Sequence, residues 1–153
     1  MDVKHINPFI ESFSTVMPEI GFGSVRVGDL IAKGEELSSS GVIVIVGIVG
    51  AVRGNVVYSL SLDAAKQIAE TMMMGEPVEE FDENAKSAIS ELTNMLTAHA
   101  ATAFSNMEII IDISTPTMLE GENVSIKMNS GKVICIQLFA DDIPIEVNIS
   151  FES

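Results

Sequence analysis

Cysteine is nearly absent from this chain, and its scarcity excludes a disulfide framework. The single thiol, Cys135, lies in the apolar run KVICIQLF, where we expect a buried and unreactive side chain rather than a nucleophile. One cysteine cannot form an intrachain disulfide, which fits a reducing compartment. We therefore predict a cytoplasmic protein.

Basic residues are also few. The chain has 8 Lys and Arg against 22 Asp and Glu, a formal net charge of −14 at pH 7, and the basic positions are scattered. This balance argues against a nucleic-acid-binding surface and against adhesion to an anionic membrane, so we predict neither partner. An acidic surface suits a partner that carries a basic patch, or serves solubility alone, so charge by itself names no partner.

Long apolar runs and tryptophan are missing. The most apolar stretch, GVIVIVGIVGAV at 41–52, falls short of the roughly 20 residues that a membrane helix requires and is typical of a buried strand. The start, MDVKHINPF, does not show the basic and apolar segments of a signal peptide. Apolar residues make up 47% of the chain and aromatic residues 5%. We expect one domain over residues 1–153 with an aliphatic core.

Hydrophobic spacing predicts an α+β fold in which helices pack on a largely antiparallel β-sheet. The last strand alternates, which would place Ile145, Val147, Ile149 and Phe151 inward and Glu146, Asn148, Ser150 and Glu152 outward. The predicted elements are a helix over 4–18 ended by Pro18, a strand near 24–31, a solvated loop over 33–40, a hairpin over 41–61, a helix from Ser61 or Asp63 to about 74, a helix from Asp82 to about 106, and strands at 108–114, 123–129, 132–140 and 144–152.

The long helix has one apolar face and one polar stripe. A projection at 100° per residue gathers the apolar face within an arc of roughly 120°. Ser87, Glu91 and Asn94 follow at i, i+4 and i+7, so these side chains share one edge. Ala98 is small and leaves room beside Asn94 for another surface. The apolar face comprises Ala85, Ala88, Ile89, Leu92, Met95, Leu96 and Ala103, and the polar side comprises Glu83, Ser87, Ser90, Asn94 and Thr97.

Asparagine forms helices poorly, so Asn94 in mid-helix needs a reason. An amide can hold a water through its carbonyl and its NH2 group, and a carboxylate can pair with a lysine. The pair suits hydrolysis of a bond that a partner supplies, although plain exposed surface fits the spacing as well. No Ser-His-Asp set, phosphate-binding glycine loop or Cys-His pair is present. His99 has no second ligand at metal spacing, so we predict no metal site and place His99 at the core or its boundary.

The order Ser87, three residues, Glu91, two residues, Asn94, twenty-one residues, Pro116 resembles the signature of the CheC/CheX/FliY phosphatases of bacterial chemotaxis. The hairpin and helix before it and DISTPTMLEGENVSI after it are similar to CheX-type members. The similarity is good over about residues 40–130 and loose at both ends. It implies a CheC-like fold with an internal pseudo-two-fold repeat.

The resemblance also implies a function. The substrate would be the phosphoaspartate of a phosphorylated CheY-type response regulator, with Asn94 orienting the attacking water and Glu91 pairing with the regulator's active-site lysine. Ser87, Ala98 and Pro116 would contact the partner. No cofactor is expected on this chain, because the Mg2+ would belong to the regulator.

Two further expectations follow from the resemblance. In the first helix Asn7, Glu11 and Ser14 repeat the spacing, but a serine hydroxyl cannot replace the amide, so one active site is expected. CheX-type members form homodimers, which predicts a homodimer here without naming the strand that pairs. The alternative is a non-catalytic module that uses the same helix to bind a receiver domain or to join a flagellar switch.

Overall fold

The computed structural model describes residues 3–128 and 132–152. Within these two ranges, three helices and seven strands follow a single turn of 3-10 helix at Val3–His5. The predicted strand at 123–129 runs one residue beyond the first described range. The helices are α1 (Asn7–Ile20), α2 (Leu62–Met72) and α3 (Glu83–Asn106); the strands are β1 (Val25–Lys33), β2 (Glu36–Gly50), β3 (Gly54–Leu60), β4 (Ile111–Ile113), β5 (Thr117–Lys127), β6 (Val133–Ala140) and β7 (Ile143–Phe151).

The seven strands form one sheet in the order β1-β6-β7-β3-β2-β4, and β5 also pairs with β2. Every strand pair within the described residues is antiparallel, which confirms the predicted fold class. Without the short β4, the order is β1-β6-β7-β3-β2-β5, and exchanging β1 with β5, β2 with β6 and β3 with β7 reproduces it in reverse. The sheet therefore has a pseudo-two-fold axis between β3 and β7, with α1 and α3 at the start of the two halves.

The main core lies between the helices and one face of the sheet. α1 supplies Phe9, Phe13 and Met17, and α3 supplies Ile89 and Leu96, all buried. A second, smaller cluster covers the other face and contains Leu37, Ile43, Val57, Met128 and Val133. Because β2 carries apolar residues toward both clusters, its run Val42–Val49 shows no polar alternation.

The predicted end of the first helix was wrong. Pro18 does not end α1, since a proline in the last turn removes the intrahelical bond of only one N–H. The helix ends at Ile20 and is capped by Gly21, whose φ of 133° suits glycine and whose N–H donates to the Met17 carbonyl at 3.3 Å. In the second helix the cap is Ser61, which accepts from Ala64 N–H at 3.1 Å.

The segment 33–40 is not a solvated loop, because β2 begins at Glu36. Its backbone pairs with β5, with Glu36 opposite Lys127 and Ser38 opposite Ser125. A strand can carry polar side chains, because backbone groups alone make the hydrogen bonds between strands. The strand predicted at 108–114 is also shorter, Ile111–Ile113.

The terminal strand matches its prediction only on one face. Ile145, Val147 and Ile149 are buried as expected, but Asn148 and Ser150 are buried as well. The Asn148 amide donates to the Val57 carbonyl on β3 at 3.1 Å. Because β7 lies between β6 and β3 in the middle of the sheet, side chains of both neighbouring strands flank its second face.

α3 has a defined beginning and end. The Asp82 carboxylate accepts from Ala85 N–H at 3.0 Å, an N-cap worth about 1 kcal/mol. At the other end Ile109 N–H donates to the Phe104 carbonyl at 2.9 Å and Glu108 adopts a φ of 63°, the pattern of a Schellman motif. In the described part of the chain, no helix is both long and apolar enough to cross a membrane.

Candidate functional site

The polar stripe of α3 lies on the surface, where the projection places it. Ser87, Glu91 and Ala98 are exposed, and Asn94 is half-buried. Ile89, Leu92 and Leu96 on the opposite side are buried against the sheet. The packing of these three side chains sets the rotation of the helix, and that rotation directs Glu91 and Asn94 outward on one edge.

Thr97 does not belong to this stripe. It was predicted on the polar side, but it is fully buried, as is Thr93 one turn earlier. The Thr97 hydroxyl lies 2.8 Å from the hydroxyl of Tyr58 on β3 and donates to the Thr93 carbonyl at 2.7 Å. A buried threonine is accommodated because its hydroxyl is hydrogen-bonded.

Pro116 lies in the connection between β4 and β5 and is half-buried. This connection is tied to α3 at both ends. Before it, Ile109 N–H donates to the Phe104 carbonyl at the end of α3; after it, Glu120 lies 3.9 Å from the Lys86 ammonium in the first turn. The chain from β4 to β5 therefore runs alongside the helix that carries Glu91 and Asn94.

The surroundings of the stripe offer no protein metal site. Within residues 3–128 and 132–152, no group of three or more His, Cys, Asp or Glu side chains could hold a metal ion. His99 is half-buried, and its Nδ1 atom has no hydrogen-bond partner in the described structure. It lies at the boundary of the core, as predicted.

The corresponding positions of α1 also face solvent. Asn7, Glu11 and Ser14 are exposed on one edge of that helix, whereas Phe13 and Met17 are buried. The two helices therefore present similar edges in the two halves of the fold. At the last of the three positions α3 has the amide of Asn94, whereas α1 has the hydroxyl of Ser14.

Sequence reasoning missed the residues that support α3 from below. Tyr58 and Thr97 are 39 positions apart, and Ser12 on α1 donates to the Leu96 carbonyl across 84 positions. In the sequence Thr93 and Thr97 stand at i and i+4, and the structure places both on the side of the helix that faces the sheet. Hydroxyls at such positions need buried partners.

The shape of the site favours contact with a macromolecule. A carboxylate and an amide stand on the convex edge of a helix, between two small or short side chains, Ser87 and Ala98. Such an edge can enter a cleft of a partner, whereas binding sites for small molecules are concave.

A family model described as chemotaxis phosphatase CheX matches residues 42–140, which include β3, α2, all of α3 and Pro116. The chain belongs to this CheX family. The CheY-P phosphatase CheX of Thermotoga maritima is 30% identical over 128 residues, covering 83% of this chain and 82% of that protein. Membership in the family predicted from the spacing of Ser87, Glu91, Asn94 and Pro116 is thereby confirmed.

Solved structures agree with the family. A CheC-like superfamily protein from Shewanella sp. PV-4 superposes with a TM-score of 0.88 and 28% identity over 100% of both chains. The CheX of the CheX–CheY–BeF3–Mg2+ complex from Borrelia burgdorferi gives a TM-score of 0.81 and 24% identity, over 97% of this chain and 98% of that one. The CheC-like fold is therefore established for this chain.

Proposed function

We propose that this protein hydrolyses the phosphoaspartate of a phosphorylated CheY-type response regulator. The observation that carries the proposal is the exposed Glu91 and the half-buried Asn94 side by side on one outward-facing edge of α3, inside the region that the CheX family matches. The relative from Thermotoga maritima is named for this activity. The Borrelia burgdorferi neighbour is seen in complex with CheY.

In this proposal Asn94 enters the regulator's active site and orients a water through its amide. The water oxygen attacks phosphorus, the bond from phosphorus to the aspartate oxygen breaks, and inorganic phosphate and a free carboxylate result. Glu91 pairs with the regulator's lysine through a charge-assisted hydrogen bond. Positioning and electrostatics account for most of the catalysis in phosphoryl transfer.

The metal belongs to the partner. We propose that Mg2+ is bound by the response regulator, as the composition of the Borrelia burgdorferi complex suggests, and that this chain binds no cofactor. Ser87 and Ala98 are exposed one turn on either side of the Glu91–Asn94 pair, and we assign them, with Pro116, to partner contact. The small side chain of Ala98 permits close approach beside Asn94.

Phosphate release from a CheY-type regulator charged with acetyl phosphate tests the proposal. The wild-type protein should accelerate release, and Asn94→Ala should not. Asn84→Ala is a matched control, since Asn84 is an exposed asparagine of the same helix about 15 Å further along its axis. Wild-type turnover by Asn94→Ala would refute the role of the amide. Binding of the regulator without faster release would instead support the non-catalytic alternative.

We also propose a homodimer, with β1 as the contact strand. β1 is at an edge of the sheet, and it exposes three apolar side chains: Val27 (40%), Leu30 (50%) and Ile31 (37%). Exposed apolar edge strands pair readily with other chains. Light scattering should give twice the monomer mass, and Leu30→Lys should give the monomer; a wild-type monomer contradicts the proposal.

The buried free thiol of Cys135 is compatible with the cytoplasm, the compartment that we propose.

A further inference from the structure

The buried hydroxyls beneath α3 form a directed chain. The Thr97 hydroxyl has a single proton, which it donates to the Thr93 carbonyl at 2.7 Å. The contact of 2.8 Å between Tyr58 and Thr97 must therefore be donated by the Tyr58 hydroxyl. Burial raises the pKa of Tyr58, so this donor keeps its proton at neutral pH.

This chain ends on the turn that carries the proposed site. Thr93 immediately precedes Asn94, and the Thr93 hydroxyl donates to the Ser90 carbonyl at 2.9 Å. That carbonyl is also the α-helical acceptor for the backbone N–H of Asn94. Hydroxyl bonds to helix carbonyls alter local helix geometry. The Tyr58 bond thus connects a rigid central strand to the backbone on which Asn94 stands.

The pseudo-symmetry provides an internal comparison. When Asn7, Glu11 and Ser14 are aligned with Ser87, Glu91 and Asn94, the α1 residues that correspond to Thr93 and Thr97 are Phe13 and Met17. Both are buried in the core, so apolar side chains fill the equivalent space under α1. Packing alone therefore does not require the two threonines. The hydroxyl chain occurs under the helix that carries the amide.

We propose that Tyr58 and Thr97 are positioning residues, which fix the rotation of α3 and thereby the direction of the Asn94 amide. This inference rests on the proposed function. Thr97 is three residues after Asn94, which places it about 60° around the helix. Because aliphatic contacts are not directional, a hydrogen bond at this position adds a directional restraint to the rotation that the packing of Ile89, Leu92 and Leu96 sets.

The first test is a steady-state assay of phosphate release from an acetyl-phosphate-charged CheY-type regulator with Tyr58→Phe, which removes only the buried hydroxyl. A small misalignment of a catalytic group can cost up to about 100-fold in rate; we expect kcat to fall about tenfold and KM to change less than about twofold. Ser59→Ala is the matched control, because Ser59 is the next residue of β3 and its hydroxyl bonds Ser39 on the opposite side of the sheet. It should retain the wild-type kcat.

Thr97 variants separate positioning from stability. Thr97→Val keeps the shape but removes the hydroxyl, and it should lower kcat as Tyr58→Phe does. Thr97→Ser keeps the hydroxyl and should restore kcat even where its melting temperature is lower. In an Asn94→Ala background, Tyr58→Phe should cause no further loss, since the amide that it positions is gone. An additive loss, or wild-type kcat in Tyr58→Phe, overturns the positioning role.

A spectroscopic readout tests the inference independently of turnover. In 1H–15N spectra the side-chain amide signals of Asn94 should shift in Tyr58→Phe and stay in place in Ser59→Ala. Unchanged Asn94 signals in Tyr58→Phe would refute the positioning role whatever the activity. If the wild-type protein releases no phosphate although the Asn94 signals shift, the proposed function fails and the structural link stands.

Discussion

At the scale of single residues, Glu91 and Asn94 share one helix edge but have separable roles in the proposed reaction. Asn94 acts on the attacking water, so Asn94→Ala should lower kcat about 100-fold, the cost of removing one preorganised hydrogen-bonding group. Glu91→Gln keeps the shape and removes the charge, so it should act chiefly on binding and raise KM about tenfold. Steady-state phosphate release at varied regulator concentrations measures both constants.

A second carboxylate on α3 is the control for Glu91. Glu83 is in the first turn and its side chain is 93% exposed, so Glu83→Gln changes the net charge as Glu91→Gln does but leaves the proposed contact intact. It should keep KM within about twofold, because single surface charges are screened by salt. Equal effects of the two substitutions on KM would show that total charge, and not the Glu91 contact, governs binding.

Cys135 illustrates a residue whose reactivity is set by burial. It is fully buried. Burial and the charge of Glu146 raise the pKa of the thiol to about 11, although Lys33 lowers it. At pH 8 we expect a thiol reagent to label the folded protein at least about 100-fold more slowly than the unfolded protein, because the thiolate is the reactive form. Equal labelling rates with and without urea would contradict this expectation.

The orientation of individual residues could be predicted only where periodicity decides it. Glu91 and Ser87 face solvent because Ile89, Leu92 and Leu96 all require the opposite side. Thr97 was misplaced because a threonine fits either a solvent-facing position or a buried one with a hydrogen-bond partner. The partner is Tyr58, 39 residues away, and no local pattern points to a bond over that distance.

At the scale of elements, α3 was the most predictable part of the chain. Asp82 was the predicted start and the N-cap is observed there, since a cap and a periodic apolar face are both local signals. The start of β2 could not be predicted in the same way. The serines of residues 38–40 resemble a loop, and their strand character comes from pairing with β5, which lies far away in sequence.

The end of α3 contains a correctable strain. Glu108 is exposed and has a φ of 63°, a left-handed conformation that costs a side chain free energy and glycine very little. Glu108→Gly should therefore raise the free energy of unfolding by about 0.5–1 kcal/mol, as measured by urea denaturation.

Glu108→Ala separates the backbone effect from loss of the charge. It removes the carboxylate but keeps the Cβ atom, so the strain in the backbone persists. We expect no gain in stability from this variant. If alanine stabilises the protein as much as glycine does, the effect comes from the charge and not from the left-handed conformation.

At the scale of the whole molecule, the resemblance predicted an internal repeat, and the strand order has the expected symmetry. The sequence pattern could not predict which strands pair, because alternation shows which residues face the core but does not show which strands are neighbours. The central contact of β3 with β7 joins residues about 90 positions apart. Such non-local pairing is decided when the two halves fold against one another.

The stability of the whole molecule should fall in alkaline solution. Burial raises the pKa of Cys135 from 9.0 to about 11 and also raises that of Tyr58. Burial lowers the pKa of Lys33, but the hydrogen bond to Glu146 and nearby charges outweigh it, so the net shift is upward. Each of the three groups therefore keeps its proton to a higher pH in the folded state than in the unfolded chain.

Above about pH 9 the folded protein binds more protons than the unfolded chain, so the free energy of unfolding decreases as the pH rises. The shift of Cys135 by two units alone corresponds to about 2–3 kcal/mol, present below pH 9 and lost as the pH rises through the folded pKa of about 11. Urea denaturation at pH 8, 9.5 and 11 should show this decrease in the wild-type protein and a smaller one in Cys135→Ala, whatever that variant loses in absolute stability. Cys135→Ala removes the thiol proton from both the folded and the unfolded state. If the free energy of unfolding falls equally with pH in the two proteins, a group other than Cys135 causes the alkaline loss.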